Sequence, residues 1–354
     1  MYFDIRSAAK CRIRGHLRFG MNRVRNIKDL AELAGVSTGT VSRALAGSEL
    51  ISRKTRERIQ ALAAEYDFRP NVMARNLRIQ RTGAIGVLIP LGHETGQHIS
   101  DPFFITMLGL LADALTERGY DLVLSRVIPA DSTWLERFVA SGRADGFIVI
   151  GQSDQAAVLD RVAEHYRPLV VWGGHVEGQV HCSVGSDNRK GGFLAASHLI
   201  ERGCQRIAFF GDPKAVEIGQ RLEGCREAMK QAGLDGYLTV LPAHLVAEAA
   251  HPDIAQFLGS TVYRPQGIVA ASDVIAMSTL RALSEFGLAV PGDVRVIGYD
   301  GLAIGEQTVP RLTTISQDLT AGALHLVDML LRRIAGEDTQ SVVMEPKLIL
   351  RMSS

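Results

Sequence analysis

Thr38, Gly39, Thr40, Ser42 and Arg43 share one face if residues 37–45 form a helix, and their chemistry is recognition rather than catalysis. Short hydroxyls and a guanidinium can read the base edges of the DNA major groove. The elements that must hold them are legible around them. Ile27, Leu30, Ala31 and Ala34 recur at helical spacing, Gly35 suits a tight turn, and Val36 points back inward. Ser37 is placed to cap a second helix that turns Val41 and Leu45 inward. Such a pair is a helix-turn-helix, which lays its second helix in the major groove. An ordinary helical hairpin would show the same Ala/Gly/Val pattern.

A third helix is expected from a Ser52 cap to Tyr66, with Ile59, Leu62, Ala63 and Tyr66 on one face. Its first turns carry Arg53, Lys54, Arg56 and Arg58, which oppose the helix dipole and so suit phosphate contact, although a solvated basic face gives the same pattern. Pro70 is expected to stop this helix. The segment Asn71–Arg78 behind it is too short to hold a helix alone.

The stretch AGVSTGTVSRAL, then SRKTRERI, then Arg-Pro-Asn-x-x-Ala-Arg-x-Leu resembles the DNA-binding module of the LacI/GalR family of bacterial transcription regulators. The resemblance implies a hinge that folds into a helix on operator DNA, with Leu77 as a minor-groove wedge and Asn71, Ala74, Arg75 and Arg78 beside it. It also implies that the protein acts as a homodimer on double-stranded operator DNA.

Charge divides the chain in the same way. Residues 1–80 carry 16 Lys+Arg against 7 Asp+Glu, about +9, whereas the other 274 residues carry 23 against 31, about −8. A basic head on an acidic body suits DNA at one end. No 18-residue apolar run exists, so no membrane span is expected, and Cys11, Cys182, Cys204 and Cys225 show no metal or paired spacing. Reduced thiols in a cytoplasmic protein are the expectation. The first 20 residues lack the apolar core of a secretory signal, and Met21 is an alternative start. The tail after Lys347 carries no heptad run, so no four-chain bundle is expected.

From about residue 83 the text alternates apolar runs with amphipathic helices: Ala84–Ile89, Tyr120–Val127, Gly146–Ile150 and Leu169–Trp172, then Ile207–Phe210, Gly267–Ala270 and Val294–Tyr299. Two such rounds predict two α/β subdomains with parallel sheets and a ligand cleft at the strand carboxyl ends. The expected class is thus a three-helix helix-turn-helix head and hinge helix followed by an α/β effector domain, resembling the periplasmic-binding-protein-like domain of the family. The expected boundaries are a basic extension at 1–25, the DNA-binding domain at 26–69, the hinge at 70–82 and the effector domain at 83–354. Within the last, one subdomain takes 83–184 plus 316–340 and the other 185–315 plus 341–354, the chain crossing near 184, 315 and 340.

The resemblance implies effector contacts at Asp101, with Phe103 and Phe104 packing against the ligand, and at Arg221, Ser272, Asp300 and Gln317; Glu217 lies one turn before Arg221. Other roles fit some of these residues. Asp101 also suits a helix cap, Asp273 is expected to be one, and Gln317 also suits a brace at the crossover. Where many sugar-binding relatives place an Asp-Arg pair, this chain reads Trp172-Gly173-Gly174. The glycines remove a charged fork and are expected to open space, and Trp172 offers either an aromatic face to a ring or a core contact. The run Gly185–Gly192 lacks phosphate-loop spacing, and Asp187 or Asn188 is read there as a helix cap. No HExxH or CxxC is present, so no enzyme, metal or cofactor is expected. The function expected is a ligand-controlled, sequence-specific repressor with a sugar or glucoside as effector. A regulator responding to a purine or another metabolite is the alternative, and a sugar-binding protein without a regulatory role is a third.

Overall fold

The computed structural model describes residues 24–68, 81–92, 96–152, 154–261 and 264–354. The chain divides into a unit ending at Gln80 and a unit from Arg81 to Ser354. Asn71, Ala74, Arg75, Leu77 and Arg78, together with the extension through residue 23, lie outside the described residues.

The head is three helices, α1 (Ile27–Ala34), α2 (Thr38–Leu45) and α3 (Arg53–Glu65). Each begins on a side-chain cap. Asn26 accepts from the amides of Lys28 and Asp29, Ser37 from Thr40 and Ser52 from Thr55. Gly35 takes φ +62°, the left-handed turn that separates α1 from α2. Leu30, Ala31, Ala34, Val41, Ala44, Ile59 and Ala63 close the small core. Pro70 does not set the end of α3: the helix stops at Glu65, where Asp67 turns to φ +47° and the Phe68 amide bonds back to the Ala63 carbonyl. The terminating signal is local backbone geometry rather than the proline.

The second unit holds two six-stranded sheets. The first contains β1 (Ala84–Pro90), β2 (Asp121–Val127), β3 (Gly146–Ile150), β4 (Leu169–Trp172) and β5 (Cys182–Ser186), in spatial order β2-β1-β3-β4-β5. The second repeats that order with β6 (Ile207–Phe210), β7 (Leu238–Leu241), β8 (Gly267–Ala270), β9 (Arg295–Asp300) and β10 (Thr313–Ser316). All of these neighbours pair in parallel. Strand β1 is buried along its whole length, with Ile85, Val87 and Ile89 in one core and Leu88 in the core on the opposite face. Burial on both faces explains the continuous apolar runs.

Three passages join the sheets. The first follows Ser186 and the second Ser316. The third falls between β11 (Val342–Met344), parallel to β5, and β12 (Lys347–Ile349), antiparallel to β10. The crossings near 184 and 340 therefore move to beyond Ser186 and Met344. A strand that adds to the edge of the first sheet delays the return, and so short a strand gives almost no periodicity to read.

Candidate functional site

On the head, α2 turns Thr38 and Arg43 fully outward and leaves Gly39, Thr40 and Ser42 half-buried, while Val41 and Ala44 are sealed in the core. The five residues expected to face DNA thus form one polar surface on a short capped helix. The basic start of α3 is less uniform than its sequence suggests. Arg53 pairs with Glu57 at 2.7 Å in solvent, and Arg58 donates to the Ala34 carbonyl at 2.8 Å. An exposed pair of this kind contributes little, whereas the Arg58 bond ties α3 to the end of α1.

The second site is a cleft with an empty volume of about 830 Å³, part of it open to solvent. It opens at the carboxyl ends of both sheets. Pro90 ends β1 and Leu91 follows it, Ile150 ends β3 and Gly151 follows it, and Ala215 and Ser272 lie after β6 and β8. These are the points where each strand order reverses, where α/β sheets hold ligands. All nine side chains expected at the effector, Asp101, Phe103, Phe104, Trp172, Glu217, Arg221, Ser272, Asp300 and Gln317, line this one cleft.

Each arrives there by its own local cause. Asp101 caps α4 (Pro102–Glu117), its Oδ1 accepting from the Phe103 amide at 2.9 Å and its Oδ2 from Gln97 Nε2 at 3.2 Å. Burial raises its pKa above the ordinary carboxylate range, against the pull of those bonds. Phe103 meets Phe104 edge-on at 5.7 Å and Trp172 at 6.5 Å. Trp172 is only 5% exposed, so it serves the core as well as the cleft wall.

Arg221 lies on α8 (Val216–Gln231), which crosses α7 (Asn188–Glu201) at backbone contact: a methyl on Gly192 would stand 1.9 Å from the Arg221 carbonyl oxygen. This close crossing sets the guanidinium depth. Its Nε donates to Asn188 Oδ1 at 2.8 Å and its Nη1 to the Ala271 carbonyl at 2.5 Å. The guanidinium carbon sits 3.7 Å over the Tyr299 ring. Asp300, at the end of β9, lies 3.9 Å from Nη1 and accepts from Gln317 Nε2 at 2.7 Å, while Gln317 Oε1 accepts from Ser186 at 3.0 Å. Burial drives the Asp300 carboxyl up, with the Arg221 charge opposing it. Asp300 takes φ +116°, outside the regions a side chain normally adopts. Gln317 therefore does brace the second passage, and it does so through a cleft residue.

Two local expectations are corrected. The cap of α10 (Asp273–Glu285) is Ser272, whose Oγ accepts from the Ile275 amide at 3.2 Å. Asp273 is fully buried and accepts instead from the Leu302 amide at 2.7 Å and Thr314 Oγ1 at 2.6 Å, tying the end of β9 to β10. The extended backbone at Ser272 puts that residue, not its neighbour, at the half-in position. Nor do Gly173 and Gly174 open space. A methyl on Gly173 would lie 2.6 Å from Gln152 Cγ, and one on Gly174 would lie 2.6 Å from Gln220 Oε1. Those two side chains fill the room, and Gln152 donates to the Gly174 carbonyl at 2.6 Å.

Asn188 and Ser186 were not read as functional. Asp187 is the cap of α7, accepting from the Lys190 amide at 2.9 Å, which frees Asn188 to hold Arg221. The signal was the chain position, immediately after the first passage.

The matches to known proteins cover both regions. Residues 26–71 match the family model of bacterial regulatory proteins of the lacI family, and residues 196–354 match that of a periplasmic binding protein-like domain. The HTH-type transcriptional repressor PurR of Klebsiella pneumoniae (strain 342) is 30% identical over 336 residues, covering 92% of this chain and 96% of the relative. The HTH-type transcriptional regulator CelR of Thermobifida fusca is 31% identical over 340 residues, with the same coverage. Among solved structures, a lac repressor dimer bound to operator and the anti-inducer ONPF is similar at TM-score 0.77 and 26% identity, covering 93% of this chain and 98% of that one. A CelR–cellobiose complex is similar at TM-score 0.64 and 29% identity, covering 93% and 99%. The chain belongs to the LacI family of bacterial transcription regulators.

Proposed function

We propose that this chain is a transcription repressor that binds a palindromic operator as a homodimer, with operator affinity set by a small molecule in the cleft. The supporting observation is the pairing within one chain of an outward Thr38-to-Arg43 face with a cleft whose buried Arg221–Asp300–Gln317 network links the first and second passages. Thr38, Gly39, Thr40, Ser42 and Arg43 read the major groove. Asn71, Ala74, Arg75, Leu77 and Arg78 serve the minor groove and phosphates, with Leu77 as the wedge. Asp101, Phe103, Phe104, Trp172, Glu217, Arg221, Ser272, Asp300 and Gln317 hold the effector. The assignment of the lac repressor dimer to operator DNA supports the two-fold arrangement, since a closed dimer matches a palindromic site.

Among the described residues no helix is long and apolar enough to cross a membrane, and the action we propose is cytoplasmic and non-enzymatic. A sugar or glucoside is the favoured effector. The Phe103–Trp172 wall with carboxylates beside it suits a pyranose, and the CelR structure was solved with cellobiose. A planar base stacked on the same rings is the second reading. The test is competition between a selected operator and random duplex for the full chain. Preference for the selected site supports the reading, and equal retention of both overturns sequence-specific recognition.

A further inference from the structure

We propose that Asp145 is a positioning residue for operator binding: its carboxylate clamps Thr82 and Gly83, which lead from the hinge into β1, and so fixes where the hinge leaves the effector unit. This rests on the DNA-binding reading above and names a residue on which the spacing of the two heads depends. Strand β1 gains its first ladder partners at Ala84, opposite Asp121 of β2, and at Ile85, opposite Gly146 of β3. Thr82 and Gly83 precede that ladder, and a side chain takes their amides instead. Asp145 Oδ1 accepts from the Thr82 amide at 2.5 Å and from the Thr82 hydroxyl at 2.9 Å, and its Oδ2 accepts from the Gly83 amide at 3.0 Å. The Thr82 hydroxyl in turn accepts from the Ala84 amide at 3.1 Å. Hydrogen bonds to a carboxylate are among the stronger ones, and here both oxygens serve one dipeptide. Gly83 takes φ +73°, so the chain turns out of the line of β1 at the clamp.

A clamp ahead of the strand ladder adds little to the sheet. What it supplies is a fixed origin for the chain before Arg81. Two heads on a palindromic site must stand about one helical turn apart, roughly 34 Å. Freeing Thr82 and Gly83 would lengthen the tether by up to about 7 Å on each protomer. The effective concentration of the second head at its half-site depends on how closely the tether matches the span. A fixed origin therefore sharpens the choice of spacing. Asp145 also immediately precedes β3, whose other end, Ile150, lines the cleft beside Pro90 of β1. The clamp and part of the cleft wall thus stand at opposite ends of the same two paired strands.

The experiment has two arms on the full chain. In the first, the parent, Asp145→Ala, Asp145→Asn and a chain with two glycines inserted between Gln80 and Arg81 compete for duplexes that hold the selected half-sites at the selected spacing or with one or two base pairs added at the centre. The parent should prefer the selected spacing by at least about tenfold, and Asp145→Ala should reduce that preference to about threefold or less. The two-glycine insertion should do the same through slack alone. Asp145→Asn keeps an acceptor for Thr82 but sets an N–H donor against the Gly83 amide, so it should fall between. A loss of fold alone would weaken binding at every spacing alike, so an unchanged preference in the two Asp145 variants overturns the inference whatever their melting temperatures. The second arm reads the clamp without DNA. Hydrogen exchange at the Thr82 and Gly83 amides should quicken by at least about tenfold in Asp145→Ala while Val87 to Ile89 keep their rates. Equal rates at Thr82 and Gly83 overturn the inference as well. A parent that prefers neither a sequence nor a spacing overturns the DNA-binding reading, and exchange then decides the clamp by itself, so the two failures are distinguishable.

Discussion

The head and the effector unit solve the same problem differently. On the head, the residues proposed to read DNA and those that hold the fold are separate: Thr38 and Arg43 face solvent, while Leu30, Val41, Ala44 and Ile59 build the core. In the cleft the proposed effector-binding residues are also the ones that hold the fold. Asp101 caps a helix, Ser272 caps another, Gln317 braces a passage, and Arg221 ties three elements together, and all of them line the cavity. A surface that docks on DNA needs only exposed donors. A cleft that must respond to its ligand gains from residues whose movement the fold feels.

Substitutions can break or sharpen that contrast, and the largest effect is expected in the cleft. Arg221→Ala leaves Asn188 and the Ala271 carbonyl buried without their donor, so it should destabilise the effector unit by about 2–5 kcal/mol, read by calorimetry. It should also abolish the response to effector, while the folded fraction keeps its operator affinity. A Tm within a degree of the parent would show that Arg221 serves ligand alone.

The Arg221–Asp300 pair predicts a pH dependence. Burial raises Asp300, so the folded state holds its proton where the unfolded chain has lost it. Stability contributed by that proton is present below the ordinary carboxylate range and is lost as pH rises toward the folded pKa, to about 8. Asp300→Asn, compared with the parent by melting across this range, should lose less stability as pH rises. An identical slope would mean Asp300 stays ionised beside Arg221.

On the head the expectation reverses. Arg43→Ala should cost about 1–3 kcal/mol of operator discrimination and leave the melting of the head unchanged, because its side chain is exposed. A loss of head stability would show that function and fold are not separate there. The smallest effect is expected for Ser52→Ala, which removes the bond from the Thr55 amide at 3.3 Å and should cost about 1 kcal/mol of head stability with operator discrimination intact.

What could be read in the sequence follows physical range. The caps Ser37 and Ser52 and the turn at Gly35 depend on a few neighbouring residues, so their letters sufficed. The positions of Asp101, Arg221 and Asp300 came from the resemblance, and the fold brings them to one cavity. What failed was non-local or depended on one dihedral. Gln152 and Gln220 fill the room beside Gly173 and Gly174 from other elements, which no spacing along the chain could announce. Ser272 and Asp273 are adjacent polar residues, and only the strand-end backbone decides which one caps. Asn188 looked like a cap because Asp187, which holds that role, stands beside it.

The most direct test of the account is titration calorimetry of the effector, first identified by melting with a panel of sugars and nucleobases, into the full chain with and without saturating operator. The account predicts that operator changes effector affinity by about 5–150-fold, and that effector changes operator affinity by the same factor in the same direction, as linkage requires. Equal effector affinity in the two titrations would contradict it, leaving a DNA-binding head and a ligand cleft that do not speak to each other.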